Sequence, residues 1–306
     1  MFQIHPREIY GNFRCSSRCD ALQRTIATEQ HVSGLCGVSN PKGIRLTVVN
    51  TQHSESQFGE FPWMVAILSH SCIDTSHTCG HTLVGGGSLL APDVVLTAAH
   101  IFTTFKNDNV VARAGEWDSQ NTFELLKHQD REVKEINIHP DFNSANGFYD
   151  IALLILSSPF DLDEHIGTIC LPSPQAHLDL NKCIVTGWGR LKLDDLKSPN
   201  IMKKIELPFV NRTKCQEQLR DNTHLGQYFE LHESFVCAGG EKDKDACFGD
   251  GGSPLVCPIA NYNDRYQLVG LVSWGLHCGA ENVPGVYANV RMMVPWIRHE
   301  IRLLSE

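Results

Sequence analysis

Leu96-Thr97-Ala98-Ala99-His100 ends a short β-prone run on a histidine. Two more clusters follow at wide spacing: Asp150-Ile151-Ala152-Leu153-Leu154 and Gly249-Asp250-Gly251-Gly252-Ser253-Pro254. Each is ordinary alone. A histidine after a strand usually packs or faces solvent. An aspartate before an apolar run usually makes a turn, and a glycine-rich loop is usually just a tight turn. The three clusters appear in the order His, Asp, then a glycine-rich loop, and where a serine would be expected that loop reads Gly251.

Working outward, short β-prone runs recur between turns at 63–68, 94–97, 109–113, 132–138, 151–156, 183–186, 204–207, 255–256, 267–272 and 285–290. Many short strands with Gly and Pro punctuation predict an all-β sandwich or barrel pair. Residues 294–303 differ. Trp296, Ile297, Ile301 and Leu304 fall near one helical face behind Pro295, which suits a first helical position. The spacing predicts a C-terminal amphipathic helix. Residues 1–43 are polar and irregular, with Cys15, Cys19 and Cys36 and a turn at Pro41-Lys42-Gly43. They are expected to form a disulfide-tethered N-terminal segment, with residues 44–306 as the main domain.

The 306 residues suit one large β-rich domain or two small ones. Apolar residues make up 42% and charged residues 20%, an ordinary globular balance. A net charge of -9 argues against nucleic-acid binding and disfavours anionic membrane surfaces. No apolar run is long enough to span a bilayer. The twelve cysteines show no paired zinc pattern; the nearest, Cys15-x3-Cys19, lacks a matching His pair. They point to a disulfide framework and hence to a secreted protein. The sequon Asn211-Arg212-Thr213 agrees. Residues 1–10 carry no apolar core, so no signal peptide is visible; a truncated gene model and a start inside a longer secreted precursor are both open.

The motifs Thr97–His100, Asp150–Leu154 and 249–254 resemble the trypsin and chymotrypsin family. So do Phe61-Pro62-Trp63, Thr186-Gly187-Trp188-Gly189, Val272-Ser273-Trp274-Gly275 and Pro284-Gly285-Val286-Tyr287. The resemblance covers residues 44–306. It implies two packed six-stranded antiparallel β-barrels with a C-terminal helix. It implies that His100 is the base and Asp150 its orienter, with Gly251 in the nucleophile's place. Ser253 lies two positions along, and two extended residues move a side chain by roughly 6–7 Å, too far to substitute.

By the same resemblance, Asp245 sits where an acid recognises Lys or Arg, with Ser273, Gly275 and Gly285 as pocket walls. The bland alternative for Asp245 is a solvated charge near Lys242 and Lys244. The amides of Gly249 and Gly251 would form an oxyanion nest. Asp250 matches the acid that receives the ammonium freed when active members are cleaved. The usual Ile-Val-Gly-Gly start is missing; the stretch reads Gly43-Ile44-Arg45-Leu46-Thr47-Val48-Val49-Asn50, where cleavage after Arg45 would free Leu46. The implied disulfides are Cys36–Cys170, Cys183–Cys257, Cys215–Cys237 and Cys247–Cys278. Cys72 would pair with Cys79, and Cys15 with Cys19. Gly85 and Ile101 replace both halves of the bridge beside the histidine. Glu116, Asp118 and Glu124 lie where the family has a calcium loop, which makes calcium a candidate cofactor.

Gly59–Leu68, Cys36-Gly37 and Ala114–Asp118, with the serine-to-glycine loop, resemble the arthropod clip-domain serine protease homologues. That implies a non-catalytic cofactor or regulator secreted into haemolymph, acting in a cascade such as prophenoloxidase activation. Its partners would be prophenoloxidase or an active serine protease, with no nucleic acid or membrane, and a homo-oligomer remains open. Residues 1–35 hold two cysteines, where a clip domain carries six. Two other readings stand beside this one: an active trypsin-like endopeptidase, and an extracellular adhesion or recognition module.

Overall fold

A computed structural model describes residues 36–45, 47–48, 54–73, 78–104, 109–121, 124–190, 198–262 and 264–304. Cys15 and Cys19 lie outside the described residues. Six strands close a barrel in the order β1-β2-β3-β6-β5-β4. They are β1 (Met64–Ile73), β2 (Thr78–Ala91), β3 (Val94–Thr97), β4 (Val110–Ala114), β5 (Gln129–Ile138) and β6 (Ala152–Leu156). All neighbours are antiparallel. Strands β3 and β6 are buried at every position, as suits unbroken apolar runs, whereas β5 stays half exposed.

The second sheet has seven strand segments in the order β8-β7-β11-β12-β13-β10-β9. They are β7 (Cys183–Gly187), β8 (Lys203–Leu207), β9 (Phe209–Val210), β10 (Phe235–Gly239), β11 (Pro254–Pro258), β12 (Tyr266–Trp274) and β13 (Pro284–Asn289). The seven segments make the six strands expected here, because β8 and β9 are a single stretch broken at Pro208, which has no N–H for a ladder. Its first half pairs with β7 and its second with β10, so the two sheet edges are joined by one peptide.

Among the described residues there are three helices: α1 (Ile101–Thr104), α2 (Arg212–Asn222) and α3 (Val290–Leu303). The C-terminal helix starts four residues before the expected 294. Asn289 caps it, its side chain accepting from Met292 N–H, and Pro295 falls inside. Val290, Met293 and Ile297 join a core cluster that includes Met64, Leu96, Leu153, Val256, Leu268 and Leu271, so one core spans both sheets and the helix. Residues 36–45 lie on the domain rather than projecting from it. Gly37 N–H donates to Thr168, Ser39 N–H to Asp264, and Ile44 N–H to Phe58.

Candidate functional site

His100 follows β3, and its backbone N–H donates to Asp150 Oδ1 at 2.8 Å. Its ring Nδ1 donates to Asp150 Oδ2 at 2.7 Å. Asp150 enters from the loop before β6 and is 1% exposed. Ser273 Oγ donates to the same Oδ2 at 2.5 Å. Ser273 is therefore a positioning group for Asp150, a role beyond the pocket wall that the resemblance implied. Nothing within residues 272–275 alone could have shown it, because the partner lies 123 positions away.

With Nδ1 committed, Nε2 is left toward the cleft. A Cβ built on Gly251 would lie 2.6 Å from that Nε2 and 3.1 Å from Cε1. Gly251 thus faces the imidazole at the place where a nucleophile would stand, and the ring occupies part of a serine's volume. Ser253 points elsewhere. It is 1% exposed, and its Oγ lies against Gly86 and Gly187, out of reach of any substrate.

The glycine run of β2 explains how the loop gets so close. Gly86 N–H donates to Gly251 C=O at 2.8 Å. A Cβ on Gly85 would lie 2.5 Å from Ile101 Cδ1, so Ile101 fills the space over Gly85. On the other side of the loop, Gly249 has φ +97° and packs on Gly189. Asp250 is 0% exposed. Its Oδ1 accepts from Gly189 N–H at 2.8 Å and its Oδ2 from Cys247 N–H at 2.9 Å. Lys203 Nζ reaches the same Oδ2 at 2.6 Å. Sequence reasoning did not single out Lys203; its signal is only a lysine in an otherwise barrel-like strand.

Asp245 is 4% exposed, which removes the solvated-charge reading. Its Oδ2 accepts from Gly279 N–H at 3.2 Å. A Cβ on Gly285 would come within 2.8 Å of its Oδ1, so glycine there leaves room for the carboxylate. Burial pushes the Asp245 carboxyl up to about 7. The buried Tyr287 hydroxyl is raised as well, chiefly by burial and then by Asp245. Gly275 borders open space. Phe248 is 70% exposed, and the Arg190 guanidinium lies 5.2 Å from its ring centroid.

In the acidic loop the structure brings together Glu116, Glu124 and His128. Asp118 is engaged otherwise, accepting from Gln120 N–H and Asn121 Nδ2. Burial, and then a hydrogen bond with Glu124, raises Glu116 above the ordinary carboxylate range. Arg113 already supplies a cation to Glu116 at 3.2 Å. Calcium takes six to eight oxygen ligands. An imidazole in place of an oxygen ligand and a resident guanidinium beside Glu116 do not fit it. Millimolar calcium is therefore expected to shift the thermal midpoint by less than about 1 °C in differential scanning calorimetry; a rise of several degrees would show a populated site.

Disulfides join Cys36–Cys170, Cys183–Cys257, Cys215–Cys237 and Cys247–Cys278. Cys72 and Cys79 are opposite each other in the β1–β2 register. Cys247–Cys278 ties the nucleophile loop to the segment that carries Gly279, the Asp245 donor. Asn211 is exposed and caps α2, its side-chain oxygen accepting from Lys214 N–H at 2.9 Å.

Residues 50–297 match the Trypsin family. The chain is similar to phenoloxidase-activating factor 2 of Galleria mellonella, 46% identical over 90% of this chain and 91% of that one. It is similar to inactive CLIP domain-containing serine protease A8 of Anopheles gambiae, 41% identical over 95% and 78% respectively. A third relative, inactive CLIP domain-containing serine protease A28 of the same mosquito, is 38% identical over 87% and 68%.

Proposed function

The chain belongs to the trypsin family, and on that premise we propose that it is a secreted, non-catalytic homologue acting as a binding cofactor or regulator in an extracellular protease cascade. The observation that carries this is Gly251 facing His100 Nε2. Glycine offers no oxygen to attack a carbonyl. Removing the serine of a comparable triad costs roughly 2 × 10⁶ in turnover, and the remaining cleft supplies about 10³–10⁴ over water. That is too little for a working protease. The names of two relatives carry the word inactive, and the name of a third places it with phenoloxidase activation, which supports melanisation as the setting. The partner class is then a cascade protein: a prophenoloxidase or the active protease that cleaves it.

The test is to add the purified chain to prophenoloxidase and an activating protease. The expected result is more phenoloxidase activity with no labelling of the chain by a fluorophosphonate probe. Stoichiometric labelling, or no change in activation at saturating amounts, would sink the proposal.

The kept cleft is read as a binding site for a basic side chain at Asp245. A cation must meet the ionised carboxylate, and burial holds Asp245 neutral below about 7. Binding of p-aminobenzamidine should therefore weaken about tenfold for each pH unit below 7 and level off above about 8. Fluorescence titration from pH 5 to 8 checks this. A flat profile would mean that the ligand does not meet Asp245.

A further inference from the structure

In relatives that are activated by cleavage, a freed N-terminal ammonium meets the acid beside the nucleophile. Here that acid, Asp250, is already matched from within the chain. Lys203 and Asp250 are 2% and 1% exposed in their side chains, with Nζ and Oδ2 2.6 Å apart. Lys203 Nζ also donates to Arg190 C=O at 2.7 Å. The carboxylate takes two further N–H groups, from Gly189 and Cys247. Two buried charges hold together only when paired and hydrogen-bonded, and removing one partner leaves the other uncompensated.

The lysine is also held in place by its backbone. Ser56 N–H donates to Met202 C=O at 2.9 Å and Lys204 N–H to Ser54 C=O at 2.7 Å, so the chain ahead of β1 clamps the start of β8. Next along, Lys204 Nζ pairs with Glu60 at 2.6 Å. Lys203 points inward and Lys204 holds the outer segment. Nothing at Asp250 is left for a new N-terminus to neutralise.

We infer that Lys203 is a positioning residue that sets the Cys247–Ser253 loop in its cleft-forming shape without proteolysis, so that cleavage near Arg45 does not switch the site on. The loop's shape stands apart from what the cleft binds. The ligand readout below rests on the cleft-binding reading proposed above; the exchange readout does not.

The experiment uses the full chain with a specific protease site inserted after Arg45, before and after cutting, together with Lys203→Met and Lys203→Arg. Hydrogen exchange of residues 247–253 is the first readout, with β1 and β6 amides as the fold control. Cutting is expected to leave loop exchange within about twofold, while Lys203→Met speeds it about tenfold or more and Lys203→Arg stays nearer the parent. A tenfold slowing of loop exchange on cutting the parent chain overturns the inference, as does a Lys203→Met loop that exchanges like the parent. If Lys203→Met loses β1 and β6 protection too, the cut-against-uncut comparison of the parent alone decides. The second readout is p-aminobenzamidine affinity, expected to be equal before and after cutting. Its absence in both forms would overturn the cleft-binding reading, and loop exchange would still decide for or against Lys203.

Discussion

Replacing Gly251 with serine is expected to make the chain react covalently with a fluorophosphonate and to raise amidase turnover on Arg or Lys substrates at least about 10³-fold. The base is in place, since His100 Nδ1 donates to Asp150 and leaves Nε2 toward the cleft. The orienter is in place, because Asp150 is buried and further held by Ser273. The loop is braced by the Lys203–Asp250 pair. One obstacle remains. The new Cβ would start 2.6 Å from Nε2, so the imidazole must withdraw before the hydroxyl can donate to it. The ring can yield because its side chain is 37% exposed, but its hold on Asp150 resists. The gain should thus fall short of the roughly 2 × 10⁶ that a triad serine is worth. Probe labelling of the uncut chain, followed by kinetics, is the measurement. A folded Gly251→Ser protein that takes no label would show that the cleft has departed from its active relatives beyond the nucleophile.

Gly252→Ala, one residue along, is expected to destabilise the protein by about 2–5 kcal/mol. Gly252 has φ +77°, a left-handed conformation that costs an L-residue about 1–2 kcal/mol. A Cβ there would lie 2.3 Å from Thr97 Oγ1, 2.5 Å from Gly86 C=O and 3.0 Å from Ala98 N. Two of those three atoms are backbone of β2 and of the β3 end, so they cannot swing aside. Forcing them apart adds about 1–3 kcal/mol. A typical domain has only about 5–15 kcal/mol in total. Gly275→Ala is the matched control: its Cβ meets nothing within 4 Å, and a change below about 0.5 kcal/mol is expected. Non-reducing urea unfolding compares the two. A Gly252→Ala loss under about 1 kcal/mol would mean that the loop and β2 are not packed as described.

These expectations show which features local sequence could carry. Strand β3 was readable to the residue, because Val94, Val95 and Leu96 are a continuous apolar run that ends on the β-branched Thr97. Strand β2 was not. Its Gly85-Gly86-Gly87 run reads as a turn signal, yet those glycines are what let Gly251 C=O, Ile101 and Val95 approach. Helix α2 escaped notice because only Cys215 and Leu219 are buried on it, too few to mark a periodic face. The C-terminal helix was legible in its apolar face, whereas its start depended on the Asn289 cap rather than on Pro295.

The order His100, Asp150, Gly251, with the motifs around it, was enough by itself to place the chain in its family, predict two β-barrels and locate the missing oxygen. Those are statements about residue type at a position, and covalent order carries them. Tertiary structure alone decided that the imidazole leans into the vacated space, that Ser273 holds Asp150, that His128 rather than Asp118 joins Glu116 and Glu124, and that Lys203 neutralises Asp250. Each joins groups through space across the turns and strands of the fold. Whether a buried charge is paired depends on what folding brings within about 3 Å of it, and no local pattern encodes that distance.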